Sequence, residues 1–278
     1  MDGKVRGSLI IVGGHEEKQK DAERPILEEI AARAKRRKGN LLVVTVATQL
    51  PQEVAADYRA VFRDLGVRDL DILDIRSRDD AQNESAVAKV HDASVVYFTG
   101  GDQLRITSQV GDSPVFQCLN EIYRRGATIA GTSAGAAAMS ETMLVSGAGD
   151  ESAEISALGM APGLGFLSGV VVDSHFAERG RFGRLLGAVA QNPKNIGLGI
   201  DEDTAIVVER DEQFRVLGSG AVYVVDGTSV SYSSLSERRA EGILSIFGVK
   251  VHVLGDGDSY DLTRRCPVLP VDCAEASG

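Results

Sequence analysis

The residues Gly131–Gly135 form the motif Gly-Thr-Ser-Ala-Gly, with a serine at its centre. A short apolar stretch at Ala127–Ala130 precedes the motif, and a run of small residues follows it. A serine on such a strand-to-helix turn is held outward, and the glycines leave room where a Cβ would collide. The pattern predicts that Ser133 is a nucleophile on an elbow and that the Ala134 N–H faces an oxyanion. The alternative is a glycine-rich turn in which Ser133 only caps the helix.

A nucleophilic serine needs a base, and four histidines are available to supply it. His175 follows the strand-like stretch Val170–Asp173 almost directly. The carboxyl ends of parallel strands form one edge of a sheet, so we expect His175 to share an edge with Ser133. His15, after the first apolar stretch, belongs to the same edge. The alternative for His175 is a partly buried histidine without a catalytic role.

Three consecutive acids, Asp201, Glu202 and Asp203, follow the apolar stretch Gly197–Ile200. Carboxylates placed so close together repel each other unless a cationic group is near, so one of them is a candidate to orient the histidine. Alternation along the chain puts Asp201 and Glu202 on opposite faces, so one of these two is expected to reach the histidine. For Asp203 a solvated turn is the favoured interpretation.

The motif Gly-Gly-Asp-Gln at Gly100–Gln103 ends the strand that precedes the serine strand. Glycines there let the backbone approach a ligand, and the Gly101 N–H is a candidate second donor to an oxyanion. Asp102 and Gln103 add polar groups to the same edge. A plain strand-to-helix turn is an equally good interpretation of the motif by itself.

Arginines at positions 179, 181 and 184 follow His175 closely. Guanidinium groups bind carboxylates through paired hydrogen bonds, so these residues predict a substrate that carries carboxylates. The alternative is an exposed basic face of a helix. Because they are three residues apart, Arg181 and Arg184 would share a helix face, whereas Arg179 need not.

The elements that must position these residues alternate between apolar strands and amphipathic helices over the first 210 residues. The strands predicted there are Ser8–Val12, Leu41–Thr48, Asp71–Ile75, Ser94–Gly101 and Ala127–Ala130. The helices predicted there are Pro25–Lys38, Pro51–Leu65, Asn83–His91 and Pro114–Arg125. This alternation predicts an α/β fold whose mostly parallel, twisted sheet carries helices on both faces.

The later part of the chain contains short strand-like stretches with little helix between the last four. These stretches are Val170–Asp173, Gly197–Ile200, Thr204–Glu209, Phe214–Leu217 and Ala221–Val225. We expect them to add antiparallel strands to the same sheet. Because no linker or repeat interrupts the chain, residues 1–278 are predicted to form a single α/β hydrolytic domain, with a polar C-terminal tail from about residue 254.

The composition excludes several classes of function. The net charge is −10, which argues against binding to nucleic acids or to anionic membranes. Three scattered cysteines indicate neither a disulfide framework nor a metal site, and the N-terminal stretch is typical of neither a signal peptide nor a membrane span. The segment Gly13–Lys18 lacks the residues of a phosphate-binding loop. We therefore expect a cytoplasmic protein without a cofactor or metal.

Five motifs occur in order along the chain. They are Gly-Gly-Asp-Gln (100–103), Gly-Thr-Ser-Ala-Gly-Ala-Ala (131–137), Val-Asp-x-His-Phe (172–176), Arg-x-Arg-x-x-Arg (179–184) and Gly-Leu-Gly-Ile-Asp-Glu-Asp-Thr (197–204). From about Gly7 to Val225, the chain resembles the cyanophycinases, which belong to the serine-peptidase family that also holds the aspartyl dipeptidases. The resemblance implies a fold like that of the class I amidotransferases, with serine in place of cysteine.

The resemblance also implies roles for individual residues. Ser133 would be the nucleophile, His175 the general base and Glu202 the orienting acid, which selects Glu202 over Asp201. The residues implied to line the substrate site are Gln103, Asp173, Ser174, Arg179, Arg181 and Arg184. The implied substrate is cyanophycin, a polyaspartate backbone with arginine on each side-chain carboxyl. The implied reaction releases β-aspartyl-arginine dipeptides from the polymer end, and the implied assembly is a homodimer.

Two positions depart from the family pattern. Ser174 stands where the family often has glutamine, and His15 replaces a small residue after the first glycine pair. Asp173 is expected to hold a substrate guanidinium, and the arginines are expected to bind carboxylates. The site therefore suits a substrate that carries both positive and negative groups. An aspartyl or isoaspartyl dipeptidase on the same scaffold is the nearest alternative. A binding protein that keeps the fold without catalysis is a more distant one.

Overall fold

The computed structural model describes residues 7–36, 40–146, 158–209, 213–236 and 243–269. The helices are α1 (Pro25–Arg36), α2 (Pro51–Asp64), α3 (Glu84–His91), α4 (Gln103–Val110), α5 (Pro114–Arg125), α6 (Ala134–Ala137) and α7 (Phe182–Gln191). Short 3₁₀ turns lie at Asp80–Gln82 and Ser234–Ser236. Within the described part of the chain, none of the helices is long and apolar enough to cross a membrane.

The strands are short and are distributed over the whole described chain. The first nine are β1 (Ser8–Val12), β2 (Asn40–Val44), β3 (Leu70–Leu73), β4 (Ala93–Phe98), β5 (Thr128–Thr132), β6 (Thr142–Ser146), β7 (Gly159–Pro162), β8 (Val170–Ser174) and β9 (Ile196–Ile200). The others are β10 (Thr204–Glu209), β11 (Gln213–Gly218), β12 (Val222–Asp226), β13 (Tyr232–Ser233), β14 (Ile246–Phe247), β15 (Lys250–Leu254), β16 (Ser259–Asp261) and β17 (Cys266–Val268).

The larger sheet has the strand order β17-β16-β11-β10-β1-β5-β4-β2-β3. The half from β1 to β3 is parallel, whereas β10, β11, β16 and β17 add to it in antiparallel pairs. Helices cover both faces, since Leu27 and Phe62 pack with Val43 on one side while Leu119 packs on the other with Leu42. The predicted α/β fold with a mostly parallel sheet and added antiparallel strands is therefore confirmed.

A smaller sheet has the order β15-β12-β9-β8 and was not expected. β8 and β9 pair in parallel, joined by the crossover helix α7, and β12 is antiparallel to both β9 and β15. The prediction that Val170–Asp173, Gly197–Ile200 and Ala221–Val225 extend the main sheet is thus wrong. Of the five stretches predicted to extend the main sheet, Thr204–Glu209 and Phe214–Leu217 do so, as parts of β10 and β11. Periodicity shows that a strand is buried but not which sheet it joins.

Three further stretches differ from the sequence-based expectation. The predicted strands Leu41–Thr48 and Ser94–Gly101 end early, at Val44 and Phe98, and the chain after Phe98 leads to Gly101 and Gln103, which line the site described below. The chain after Val253 continues into β16 and β17, where Tyr260 is fully buried and stacks on Phe214 at 5.7 Å between ring centroids. The last two residues of the first predicted helix, at positions 37 and 38, and residues 270–278 lie outside the described residues.

Candidate active site

Ser133 lies between the end of β5 and the start of α6, with φ 55° and ψ −110°. This left-handed conformation is unfavourable for a residue with a Cβ. Only glycine fits at positions 131 and 135, because a Cβ there would overlap neighbouring backbone. A Cβ on Gly131 would lie 2.7 Å from the Gly135 carbonyl carbon, and one on Gly135 would lie 2.5 Å from the Phe98 carbonyl oxygen. The tight turn therefore depends on both glycines, as the motif predicts.

Two serines occupy N-cap positions, and their side chains do different things. The Ser113 Oγ accepts a hydrogen bond from the Phe116 N–H at 3.1 Å and so caps α5. Among the described residues, the Ser133 Oγ finds no backbone N–H of α6 to cap. It lies instead 2.8 Å from Nε2 of His175. The interpretation of Ser133 as a simple helix cap does not fit this geometry.

His175 directly follows β8, and the loop after β1 holds it in place. Its backbone N–H donates to the Gly13 carbonyl at 2.8 Å, and its ring lies over Gly14, where a Cβ would come within 2.3 Å of the ring carbon Cε1. The other ring nitrogen, Nδ1, lies 2.6 Å from Oε1 of Glu202. Ser133, His175 and Glu202 thus form a continuous hydrogen-bonded line.

The electrostatic surroundings keep the imidazole neutral near pH 7. Burial lowers the pKa of His175 below its ordinary value, and the charges of Arg179 and Arg181 lower it further, against the opposing effect of Glu202. Because a carboxylate only accepts hydrogen bonds, Nδ1 carries the proton of the neutral ring and Nε2 keeps its lone pair. His175 can therefore accept a proton from the Ser133 hydroxyl.

The three consecutive acids do not share one role. The buried Asp201 carboxylate accepts hydrogen bonds from the N–H groups of Ala177 (2.9 Å) and Ala221 (3.1 Å). Asp203 accepts from the backbone N–H of Glu17 at 3.0 Å. Glu202 is the one of the three whose carboxylate reaches His175. Asp201 and Asp203 therefore hold backbone segments around the site, and neither is a free solvated group.

A cleft of about 200 Å³ opens beside the Ser133 hydroxyl. It is lined by Gly101, Gln103, Ser133, Ala134, Ala137, Leu144, Val145, Val172, Asp173, Ser174, His175, Arg179, Arg181 and Arg184. The structure thus brings together every residue that the sequence indicated for the nucleophile, the oxyanion donors and the substrate contacts. Glu202 lies behind the His175 ring, and His15 packs edge-on against that ring with 5.7 Å between centroids.

The polar residues of the cleft are already bonded to one another. Arg184 donates through Nε and Nη2 to the two oxygens of Asp173, with Nε 2.9 Å from Oδ2. Arg181 lies 3.4 Å from Asp173 Oδ1 and donates to the Ser174 carbonyl at 2.6 Å. The expectation that Asp173 holds a substrate guanidinium therefore needs correction, because the chain's own arginines occupy its carboxylate. Arg179 is exposed at the same cleft.

The sequence missed two groups of residues at the site. The strand β6 contributes Leu144 and Val145 to the cleft, and the Gln103 amide donates to the Leu144 carbonyl at 2.7 Å. The loop after β1, including Gly13 and Gly14, supports His175. A signal was present for the loop, since paired glycines at the end of a parallel strand allow a close approach of backbone and side chain. Nothing in the apolar pattern of β6 distinguishes it from core.

Comparison with known proteins agrees with this geometry. The family model described as "Peptidase family S51" matches residues 9–217. A protein of Nostoc sp. named cyanophycinase is 38% identical over 267 residues, which cover 96% of this chain and 89% of that protein. A cyanophycinase of Geminocystis herdmanii is 34% identical over 272 residues, covering 98% of this chain and 99% of its own.

The fold also matches a solved structure. The crystal structure of a peptidase from an acI-B1 Actinobacterium superposes with a TM-score of 0.70 at 22% sequence identity. The match covers 94% of this chain and 98% of that one. At this identity the likeness supports the fold and carries no argument about the substrate.

Proposed function

Because this chain belongs to peptidase family S51 and is a serine-type peptidase, we propose that it hydrolyses cyanophycin to β-aspartyl-arginine dipeptides through an acyl-enzyme on Ser133. The observation that carries the proposal is the hydrogen-bonded line from Ser133 through His175 to Glu202, which opens into a cleft that contains three arginines. The curated relatives named above supply the identity of the polymer.

In the proposed mechanism, the Ser133 Oγ attacks the scissile carbonyl while Nε2 of His175 takes its proton across 2.8 Å. The Glu202 carboxylate, 2.6 Å from Nδ1, stabilises the imidazolium that forms and keeps the ring oriented. The lowered pKa of His175 means that the ring is neutral, and so able to act as a base, at physiological pH.

The tetrahedral intermediate needs donors for its oxyanion, and we assign these to the backbone N–H groups of Gly101 and Ala134. Both residues line the cleft beside Ser133: Ala134 follows Ser133 on the nucleophile elbow that the strained turn forms, and Gly101 lies in the loop between β4 and α4. Collapse of the intermediate passes the imidazolium proton of His175 to the leaving amine and leaves an ester on Ser133. Water, deprotonated by His175, then hydrolyses that ester and regenerates the serine.

The charges of the cleft suit a substrate that carries carboxylates. The two guanidinium groups bound to Asp173 exceed its single negative charge, and Arg179 adds a third positive group. We assign Arg179, Arg181 and Arg184 to substrate carboxylates, with Gln103 and Ser174 as further polar contacts.

We extend the proposal to the assembly and the compartment of the protein. A homodimer agrees with β15 at the edge of the smaller sheet, where Val253 is 62% exposed. A cytoplasmic location agrees with the free thiols of Cys118 and Cys266. A single hydrolytic domain agrees with the contribution of both sheets to one cleft.

The decisive experiment incubates the purified protein with insoluble cyanophycin and identifies the soluble products by mass spectrometry. We expect β-aspartyl-arginine as the main product of the wild-type protein and none from a parallel Ser133→Ala preparation. Rates on free aspartyl and isoaspartyl dipeptides, measured at equal enzyme concentration, provide the comparison of substrates. Faster turnover of those dipeptides with an intact polymer would contradict the proposed substrate, and no turnover of either would contradict a peptidase.

A further inference from the structure

Glu16 is a buried acid next to the site that the proposed mechanism does not use. Its side chain is 1% exposed, and three hydroxyl groups donate to its carboxylate. Tyr58 and Tyr97 (2.8 Å) donate to Oε1, whereas Thr132 donates to Oε2 at 2.6 Å. The Lys18 ammonium lies 3.7 Å from Oε1 and over the Tyr58 ring. A charged group so deeply buried is costly unless such partners compensate it.

The hydroxyl groups around Glu16 are permanent donors. Burial and the nearby Glu16 charge raise the pKa values of Tyr58 and Tyr97 well above their ordinary value, so both phenols keep their protons. A carboxylate accepts all three hydrogen bonds, whereas an amide in its place would turn an N–H₂ group toward a hydroxyl donor. The cluster is therefore built for a carboxylate and not for a neutral isostere.

The two oxygens of Glu16 face different parts of the molecule. Oε1 binds the two tyrosines, which lie in the packing between α2 and β4, away from the cleft. Oε2 binds Thr132, which is the last residue of β5 and directly precedes Ser133. The strained conformation of Ser133 persists only if the flanking residues hold it, and Thr132 is one of them.

The loop that carries Glu16 also contacts His175 and the residue that follows Glu202. The Gly13 carbonyl accepts from the His175 N–H, and Gly14 makes room for the His175 ring. The Gly14 carbonyl accepts from the N–H of Asp203, the residue after Glu202, at 2.8 Å. A change in the position of residues 13–16 therefore moves the base and the orienting acid relative to Ser133.

We propose that Glu16 is a positioning residue that fastens the loop after β1 to Thr132 and thereby aligns Ser133 with His175. It contacts neither the cleft nor a reacting atom, so it acts through Thr132 and through the loop. The inference rests on the proposed function, because alignment matters only if Ser133 is the nucleophile. It adds to that function a buried support that sets the rate of acylation without touching the substrate.

The test measures labelling of Ser133 by an alkyl fluorophosphonate, in which the serine oxygen displaces fluoride from phosphorus and its proton passes to His175. The maximal labelling rate reports alignment, and the half-saturating reagent concentration reports access to the cleft. The variants are Glu16→Gln, Thr132→Val and the conservative Thr132→Ser. Tyr58→Phe is the matched control, since it removes one hydrogen bond to the same carboxylate on the side away from the nucleophile.

We expect Glu16→Gln and Thr132→Val to lower the maximal labelling rate about ten-fold or more, because small misalignments of reacting atoms are expensive. We expect the half-saturating reagent concentration of both variants to equal that of wild type. The maximal labelling rate of Thr132→Ser should lie within about three-fold of the wild-type rate. Tyr58→Phe lowers the melting temperature but keeps the wild-type labelling rate. If Glu16→Gln does not fold, the comparison of Thr132→Val with Thr132→Ser tests the proposal.

Two results would overturn the inference. One is a labelling rate within about two-fold of wild type in folded Glu16→Gln or Thr132→Val. The other is an equal loss of rate in Tyr58→Phe, since that would show a general effect of destabilisation. Failure of the wild-type protein to label at Ser133 is a separate result: it contradicts the proposed nucleophile itself and hence the function on which the inference rests.

Discussion

The two sheets contribute different kinds of residue to the site. The larger sheet supplies Ser133 at the end of β5, whereas the smaller sheet supplies His175 after β8 and Glu202 after β9. The larger sheet provides a strained turn that depends on glycine contacts with neighbouring backbone. The smaller one provides a buried imidazole and a carboxylate. The reactive geometry therefore exists only where the two sheets meet.

Backbone hydrogen bonds link the loop after β1 of the larger sheet to the loops of the smaller sheet. The Gly13 carbonyl accepts from the His175 N–H and the Gly14 carbonyl accepts from the Asp203 N–H, both at 2.8 Å, while the Ser133 N–H is held within the larger sheet by the Val12 carbonyl at 3.0 Å. Within the smaller sheet, the loops after β8 and β9 are tied together as Asp201 accepts from Ala177. Contacts of this kind tolerate little displacement. We expect changes to Ser133, to its hydrogen-bonded partners and to the junction between the sheets to have separable effects on kcat and on stability.

Removing the proposed nucleophile, Ser133, changes only the larger sheet's contribution to the site and has the largest expected effect. We expect Ser133→Ala to lower kcat by about 10⁵–10⁶-fold while the melting temperature stays close to that of wild type. The matched control is Ser113→Ala, which loses a true helix cap and about 1 kcal/mol of stability but keeps full activity. Wild-type turnover in Ser133→Ala would exclude the proposed nucleophile.

Neutralising the proposed orienting acid, Glu202, tests the smaller sheet's contribution to the site. We expect Glu202→Gln to lower kcat by about 10³–10⁴-fold, because an amide favours the wrong tautomer of His175. Asp226→Asn is the control: Asp226 is a buried carboxylate of the same sheet that binds Arg265 at 2.9 Å. That variant should lose stability in a thermal melt and keep its kcat. Equal losses of kcat in the two variants would argue against a specific role for Glu202.

Adding a methyl group at the junction tests how closely the sheets must fit. A Cβ on Gly14, at φ 115°, would overlap the His175 ring, so we expect Gly14→Ala to lower kcat by about 10²-fold. Gly66→Ala is the control: its φ of 81° is also positive, and among the described residues, apart from its two chain neighbours, no atom lies within 4 Å of the added Cβ. It should cost about 1–2 kcal/mol of stability with no change in kcat. A similar kcat for the two variants would show that the junction tolerates displacement.

The smallest expected effect is a shift of the pH profile. Activity needs neutral His175, so the rate falls as the pH drops through its pKa, which burial lowers below the ordinary value and Arg179 lowers further. Arg179→Gln removes a positive charge that opposes protonation, so its acid limb should move to higher pH. A profile of fluorophosphonate labelling against pH, which avoids contacts of Arg179 with the polymer, measures the shift. An unchanged acid limb would show that this charge does not act on His175.

Sequence reasoning succeeded where a local pattern carries the chemistry. The glycines around Ser133 reflect contacts with adjacent backbone, and the Ser113-Pro114 start of α5 reflects capping, so both could be identified from a few neighbouring residues. It failed where partners are distant in the chain. The hydrogen bond from Thr132 to Glu16 spans 116 residues, and no local signal at Glu16 shows that a hydroxyl will meet it.

The sequence by itself determined the α/β class, the strand-to-helix turn at Ser133 and a family pattern that selects His175 and Glu202. The class and the turn follow from short-range sterics and apolar periodicity, which are properties of neighbouring residues, whereas the selection of His175 and Glu202 rests on the family resemblance. The tertiary structure decided that β8, β9 and β12 form a second sheet, that Asp173 binds the chain's own arginines, and that Glu16 binds Thr132, the residue before Ser133. Each of these three features depends on which distant segments pack together. The partner of a buried charge or of a strand edge is set by the segments that the completed fold places next to it.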